Sequence, residues 1–354
     1  MIGAALDLLV VGRDPAAVEA LSTELGQCPE VAVVGTGHDV ASILRMVERR
    51  DPRIIVVAVN TELACRLITE IRAEASLPIV AVCTDSRLGM RALSCGALEW
   101  VEGHRGREKI LESIRLMASI RTIRHARKRA APPPEEEPTS GRRRPDYPRP
   151  SGPLRPEVTG QSLPRVVAIG GSTGAPVALL ELLGALASPV PAPVIIAQHM
   201  PHDYSEAFAH WLANTTGRQV KLAQAGHPLE RGMIHVAPAN HHTTLLPEGI
   251  FRLERAQGTG AAPSIDRLFR SLTGLTGMQR FAVLLTGMGR DGADGLLALR
   301  QSGARTLAQD EKSCAVFGMP LAAAELGAAE ALLSPAEIGL TLAEWLLPPL
   351  NFET

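Results

Sequence analysis

Aromatic residues are scarce: Phe, Trp and Tyr make up 3% of the 354 residues. Few rings are available for base stacking, and a formal net charge of −1 supplies no strongly basic face for phosphates. Both features argue against a nucleic-acid partner. Cysteine is also sparse. The five at positions 28, 65, 83, 95 and 314 are odd in number and include no C-x-x-C pattern. Neither a disulfide framework nor a zinc ribbon is expected; reduced thiols in a cytoplasm are. No apolar run approaches the ~18 residues that span a bilayer. The opening residues, Met-Ile-Gly-Ala-Ala-Leu-Asp, lack the basic segment of a signal peptide. A cytoplasmic protein without membrane insertion is the expectation.

What is present is an ordinary globular content of apolar residues, 45%, with an unusual distribution of proline. Residues 129–163 read RAAPPPEEEPTSGRRRPDYPRPSGPLRPEVTGQSL. Proline removes backbone donors and like charges repel, so this stretch is expected to be an extended linker rather than part of a core. It divides the chain into residues 1–128 and 164–350.

In residues 1–128, apolar runs at Leu6–Val11, Val31–Gly35, Ile54–Val59, Ile79–Cys83 and Trp100–Val101 alternate with helical patterns. Those patterns fall at 16–25, 40–49, 64–73 and 87–95, with a last one at 109–127. The runs do not alternate apolar with polar, as expected of parallel strands covered on both faces. Residues 164–350 repeat the style, with strands at Arg165–Ile169, Val194–Ala197, Gly232–Ala237 and Phe281–Thr286 and a longer irregular stretch over about 220–265. The spacing predicts two doubly wound α/β domains with parallel sheets.

Three polar sites in the second domain share a setting. Ser172 and Thr173 follow a strand in VVAIGGSTGAP, His199 follows one in VIIAQHMP, and Asp291 follows one in VLLTGMGRDGADG. In open parallel sheets, ligands bind at the carboxyl ends of the strands. A hydroxyl, an imidazole and a carboxylate can therefore converge as nucleophile, base and orienting anion. Gly170, Gly171 and Gly174 make a G-x-S-x-G turn that would expose the serine at a helix start. The order Ser, His, Asp differs from that of the α/β-hydrolase fold, and the loop lacks the Lys-Ser/Thr end of a phosphate-binding loop. His227, His235, His241 and His242 lie near one another but have no acidic partner at ligand spacing, so no metal site is assigned. Ser264 and Asp266 in PSIDRLF read as a helix N-cap with a first-turn acid, which needs no catalytic role.

The segments IGGSTGAP, AQHMP, PSIDRLF, LLTGMGRDGADGL and AQDEKSCAVFGMP resemble the catalytic domain of chemotaxis protein-glutamate methylesterases, and the first block resembles that family's receiver domain. The resemblance implies a flavodoxin-type receiver followed by a Rossmann-like methylesterase domain. It also implies a catalytic Ser172–His199–Asp291 triad, with oxyanion contacts near Thr173 and the backbone of Met288, and a histidine at 242 that serves structure or lines the cleft. The implied reaction is hydrolysis of glutamyl methyl esters on the cytoplasmic helices of chemoreceptors, with deamidation of glutamine as the related reaction. It needs no cofactor or metal, and a chemosensory kinase is an implied signalling partner. A receiver of this family uses an acidic pair, an acceptor aspartate and a lysine. Here Gly12 and Arg13 stand at the pair, Ala58 at the acceptor and Glu102 at the lysine; only Cys83 or Thr84 keeps the hydroxyl position. A receiver that is not phosphorylated at position 58 and binds no magnesium is the expectation. The competing reading is a chemosensory scaffold with vestigial hydrolysis.

Overall fold

The computed structural model describes residues 5–75, 77–118, 164–200, 204–257 and 261–346. The segment expected as linker, 129–163, lies outside the described residues, as does the part of the helix pattern at 109–127 that follows Ala118.

The first unit runs β1 (Leu6–Val11), α1 (Pro15–Gly26), β2 (Val31–Gly37), α2 (Val40–Arg50), β3 (Ile54–Val59), α3 (Glu62–Glu74), β4 (Ile79–Cys83), α4 (Ser86–Ser94), β5 (Glu99–Glu102) and α5 (Arg107–Ala118). Its five parallel strands take the order β2-β1-β3-β4-β5. Every residue of the central strand β3 is buried, which is why its apolar run shows no alternation. Aspartates start three of the helices. Asp14, Asp39 and Asp85 accept the backbone N–H of Ala16, Ser42 and Leu88 at 3.0, 2.9 and 2.9 Å, donors the helices cannot satisfy internally.

The second unit runs β6 (Arg165–Gly171), α6 (Ala175–Gly184), β7 (Val194–Gln198), α7 (Ser205–Thr216), β8 (Val220–Leu222), β9 (Ile234–Val236), β10 (His241–Leu245), β11 (Phe251–Arg255), α8 (Ile265–Leu272), β12 (Gln279–Leu284), α9 (Ala293–Gln301), β13 (Arg305–Gln309), α10 (Met319–Glu325), β14 (Ala331–Leu333) and α11 (Pro335–Leu346). Seven parallel strands take the order β14-β13-β12-β6-β7-β9-β8. Chain order reverses on either side of β6, so the crevice between the carboxyl ends of β6 and β12 is the topological switch point. The stretch expected to be irregular around 220–265 instead holds the antiparallel hairpin β10–β11, with His242 opposite Glu254. Its short strands mix histidine, threonine and arginine with few apolar residues, so period-two patterning is weak. The hairpin is held by α8, whose Leu268, Phe269 and Leu272 are fully buried.

Helix α11 closes the second unit through Trp345, which stacks on Phe281 at 5.6 Å with the Arg305 guanidinium 4.1 Å above its ring centre. Trp345→Ala is expected to cost about 3–5 kcal/mol by leaving a cavity under the sheet, read from urea unfolding of this domain.

Candidate functional site

The turn after β6 carries Ser172 and Thr173 into α6. Gly174 caps that helix at φ 79°, and a Cβ there would lie 2.4 Å from the Cβ of Ala315, so glycine is required by both backbone and space. Neighbouring strand ends stitch the turn in place. Ser172 N–H donates to the Thr286 carbonyl at 3.0 Å, His199 N–H to the Gly171 carbonyl at 3.0 Å, and the Gln198 amide to the Ser172 carbonyl at 2.9 Å. Below them sits Thr286, 1% exposed. Its hydroxyl donates to the Thr173 carbonyl at 3.0 Å and accepts the Val316 N–H at 2.9 Å, while its own N–H is taken by Gln309 at 2.8 Å. Thr286 and Gln309 are the buried polar links between the serine turn and the AQDEKSCAVFGMP segment. Sequence reasoning assigned them nothing, although a glutamine closing a buried strand is a signal in itself.

His199 and Asp291 meet directly: His199 Nε2 lies 2.8 Å from Asp291 Oδ2. With Asp291 ionised, Nε2 carries the proton and donates, which leaves the Nδ1 lone pair for a second partner. The carboxylate is otherwise saturated by the start of α8. Oδ2 accepts the Ile265 N–H at 2.8 Å, and Oδ1 accepts the Asp266 N–H at 3.0 Å and the Ser264 hydroxyl at 3.2 Å. Burial alone would push this acid up. The hydrogen bonds from His199 and from the two backbone N–H groups outweigh it, and the net pKa lies below the ordinary aspartate value. Ser264 is the helix cap expected from PSIDRLF, accepting the Arg267 N–H at 3.3 Å. Beyond the cap, the same hydroxyl and the helix it starts hold Asp291. Asp266 turns its side chain away to accept the Gly295 N–H at 2.5 Å.

Of the other expected residues, Thr173 lines the crevice and is 7% exposed, while Met288 stands 41% exposed on the loop after β12. His235 is buried against Phe251 at 4.8 Å, and burial lowers its pKa to about 4, so it is a neutral core residue. Among the described residues, no three of His, Cys, Asp and Glu group closely enough to hold a metal ion.

The crevice is roofed by the first unit. Met90 and Leu93 of α4, with Leu98, Glu99 and Trp100 at β5, line the same space as Ser172, Thr173 and His199. Trp100 packs on Tyr204 with ring centres 4.4 Å apart, the Arg105 guanidinium sits 5.0 Å from the Tyr204 ring centre, and the Trp211 indole donates to Ser94 Oγ at 2.7 Å. Glu102 pairs with Arg105 at 3.2 Å and accepts a hydrogen bond from the Tyr204 hydroxyl across the boundary. Glu99 keeps some residue surface, but its carboxyl is sunk in the crevice. Burial raises its pKa to about 7 against one stabilising bond from the Trp100 N–H. The resemblance implies a receiver that masks the site, but local sequence pattern gives no sign of which residues do so, because the covering joins residues about 70–120 apart on two separately patterned units.

At the carboxyl edge of the first sheet, Ala58 is 6% exposed and lies against Gly12. A Cβ at position 12 would fall 2.9 Å from the Ala58 carbonyl oxygen, so the corner is closed. Arg13 turns outward to Glu70 at 2.7 Å, and Asp14 is occupied by the Asn60 amide at 2.6 Å and by capping α1. The hydroxyl of Thr84 lies 3.4 Å from Asp85.

Residues 167–342 match the family model described as CheB methylesterase. Over its length the chain is 36% identical to the protein-glutamate methylesterase/protein-glutamine glutaminase 3 of Anaeromyxobacter dehalogenans, covering 96% of this chain and 98% of that protein. It is 35% identical to the corresponding protein 2 of Pseudomonas aeruginosa, covering 95% and 96%. The crystal structure of the Thermotoga maritima CheB methylesterase catalytic domain is similar at 31% identity and a TM-score of 0.48, covering 51% of this chain and 98% of that one. The chain belongs to the protein-glutamate methylesterase/protein-glutamine glutaminase family and is a hydrolase of that family.

Proposed function

We propose that the protein hydrolyses glutamyl methyl esters on chemoreceptor cytoplasmic helices, and deamidates glutamine by the same chemistry, with Ser172 as nucleophile, His199 as base and Asp291 as orienting anion. The observation that carries this reading is the 2.8 Å His199–Asp291 bond, with His199 lining the same crevice as Ser172. Asp291 holds the Nε2–H tautomer, so Nδ1 is the atom that takes the Ser172 proton. The serine oxygen attacks the ester carbonyl, and the developing oxyanion is met by backbone N–H groups of the turn at Thr173 and of the loop at Met288. The imidazolium formed is stabilised by Asp291, then gives its proton to the leaving methoxide oxygen as the C–O bond breaks, which frees methanol and leaves the acyl group on Ser172. Water attacks the acyl carbon while His199 takes its proton, and the imidazolium then protonates the Ser172 oxygen as the acyl–enzyme bond breaks, which frees the glutamyl carboxyl group.

The first unit is proposed to act as a roof that is not opened by aspartyl phosphorylation. The closed corner at Gly12 and Ala58, and the engagement of Asp14 by Asn60, support this. Magnesium needs clustered hard oxygen ligands, which this edge does not gather.

Three outcomes are expected. Methanol release from methylated receptor fragments falls to the blank in Ser172→Ala and by about 10⁴-fold in Asp291→Asn, which would leave the wrong tautomer; release unchanged by Ser172→Ala overturns the triad, and no release by the wild type favours the scaffold. Incubation with acetyl phosphate and Mg²⁺ leaves the intact mass unchanged, and a phosphoryl adduct mapped to the first unit would contradict the lost switch. The third concerns pH. The raised pKa of Glu99 means that the roofed arrangement binds a proton more tightly than the open one. Its contribution to roofing is complete below the ordinary carboxylate range and is lost as pH rises through about 7. The ratio of wild-type to Glu99→Gln esterase rates is therefore expected to rise through that pH. A flat ratio would remove Glu99 from control of the roof.

A further inference from the structure

We propose that His242 is a positioning residue of the triad: its imidazole Nδ1 accepts the backbone N–H of Ser264 and, through Ser264, aims Asp291 at His199. The inference rests on the triad reading above.

In a capping box, the N–H of the cap residue is taken by an acidic or amide side chain three residues on. Here the cap is Ser264 and the residue three on is Arg267, which has no acceptor to offer. His242 supplies it instead, with Nδ1 3.2 Å from the Ser264 nitrogen. The consequence reaches the site in two further bonds. Ser264 Oγ donates to Asp291 Oδ1 at 3.2 Å, and Asp291 Oδ2 accepts from His199 Nε2 at 2.8 Å. The hairpin that carries His242 is thereby linked to the base of the reaction.

The role requires His242 to be neutral. The charged and titratable groups around it are Arg267 from α8, Asp291 from the loop after β12, Glu254 opposite it on β11 and His241 beside it on β10. Burial, then the Arg267 charge, lowers its pKa; Asp291 and Glu254 oppose them without reversing the direction. Glu254 is itself bonded to Arg267. Protonation in acid would turn Nδ1 into a second donor facing the Ser264 N–H and release the start of α8.

The test compares His242→Leu, which removes the acceptor, with His242→Asn, whose amide oxygen sits close to where Nδ1 does. Methanol release is measured on the full chain, with Ser172→Ala as the blank. The expected result is a fall of about tenfold in kcat with little change in KM for the leucine variant, the effect of losing one supporting hydrogen bond. The asparagine variant recovers most of kcat. An unchanged kcat in the leucine variant overturns the proposal. So does a loss that asparagine fails to relieve, which would assign His242 to packing alone. Activity that survives in Ser172→Ala would instead overturn the triad reading, so the two failures are distinguishable.

Discussion

The carboxylate of Asp291 is the constraint on which the site depends. It is largely buried, and a buried charge without partners would neutralise itself by taking a proton. Two backbone N–H groups at the start of α8, the Ser264 hydroxyl and His199 together keep it ionised. Both oxygens are fully used, so the carboxylate has one orientation, and the imidazole bonded to it has one as well. Helix α8 can make this contact because its Leu268, Phe269 and Leu272 are locked under the β10–β11 hairpin. The hairpin therefore matters to the chemistry even though none of its residues lies on the strand ends of the main sheet.

A parallel sheet explains how the other groups arrive. Ser172 and His199 follow adjacent strands, β6 and β7, and the chain reverses its winding between β6 and β12, which leads to Asp291. Thr286 pins the serine turn from below, so the turn cannot move without breaking a buried polar network. The roof of α4 and β5 then closes over a site that is already organised. Carboxylates shape that boundary: Glu99 stands in the crevice and Glu102 on Tyr204.

The strand-and-helix rhythm was legible because buried parallel strands are continuous apolar runs, and β3 and β7 are buried at every position. The placement of Ser172, His199 and Asp291 was legible because each ends such a run. The hairpin was not, since HHTTL and FRLER pair through backbone with little apolar alternation. Ser264 was read correctly as a cap but not as a partner of Asp291, because a long-range contact leaves no local pattern. For the same reason Thr286 passed as the end of a strand and Gln309 carried no structural reading, and the approach of Trp100 to Tyr204 joins positions that carry no shared periodicity.

The central claim is that Asp291, held by α8, fixes the tautomer of His199 so that Nδ1 faces the serine. Nitrogen-15 NMR of the full chain at neutral pH, with histidine labelled and His199 assigned by substitution, reads this directly. The account predicts a protonated Nε2 with its hydrogen shifted downfield by the carboxylate and an unprotonated Nδ1. A proton resident on Nδ1, or an Nε2 signal that Asp291→Asn leaves unmoved, would contradict it.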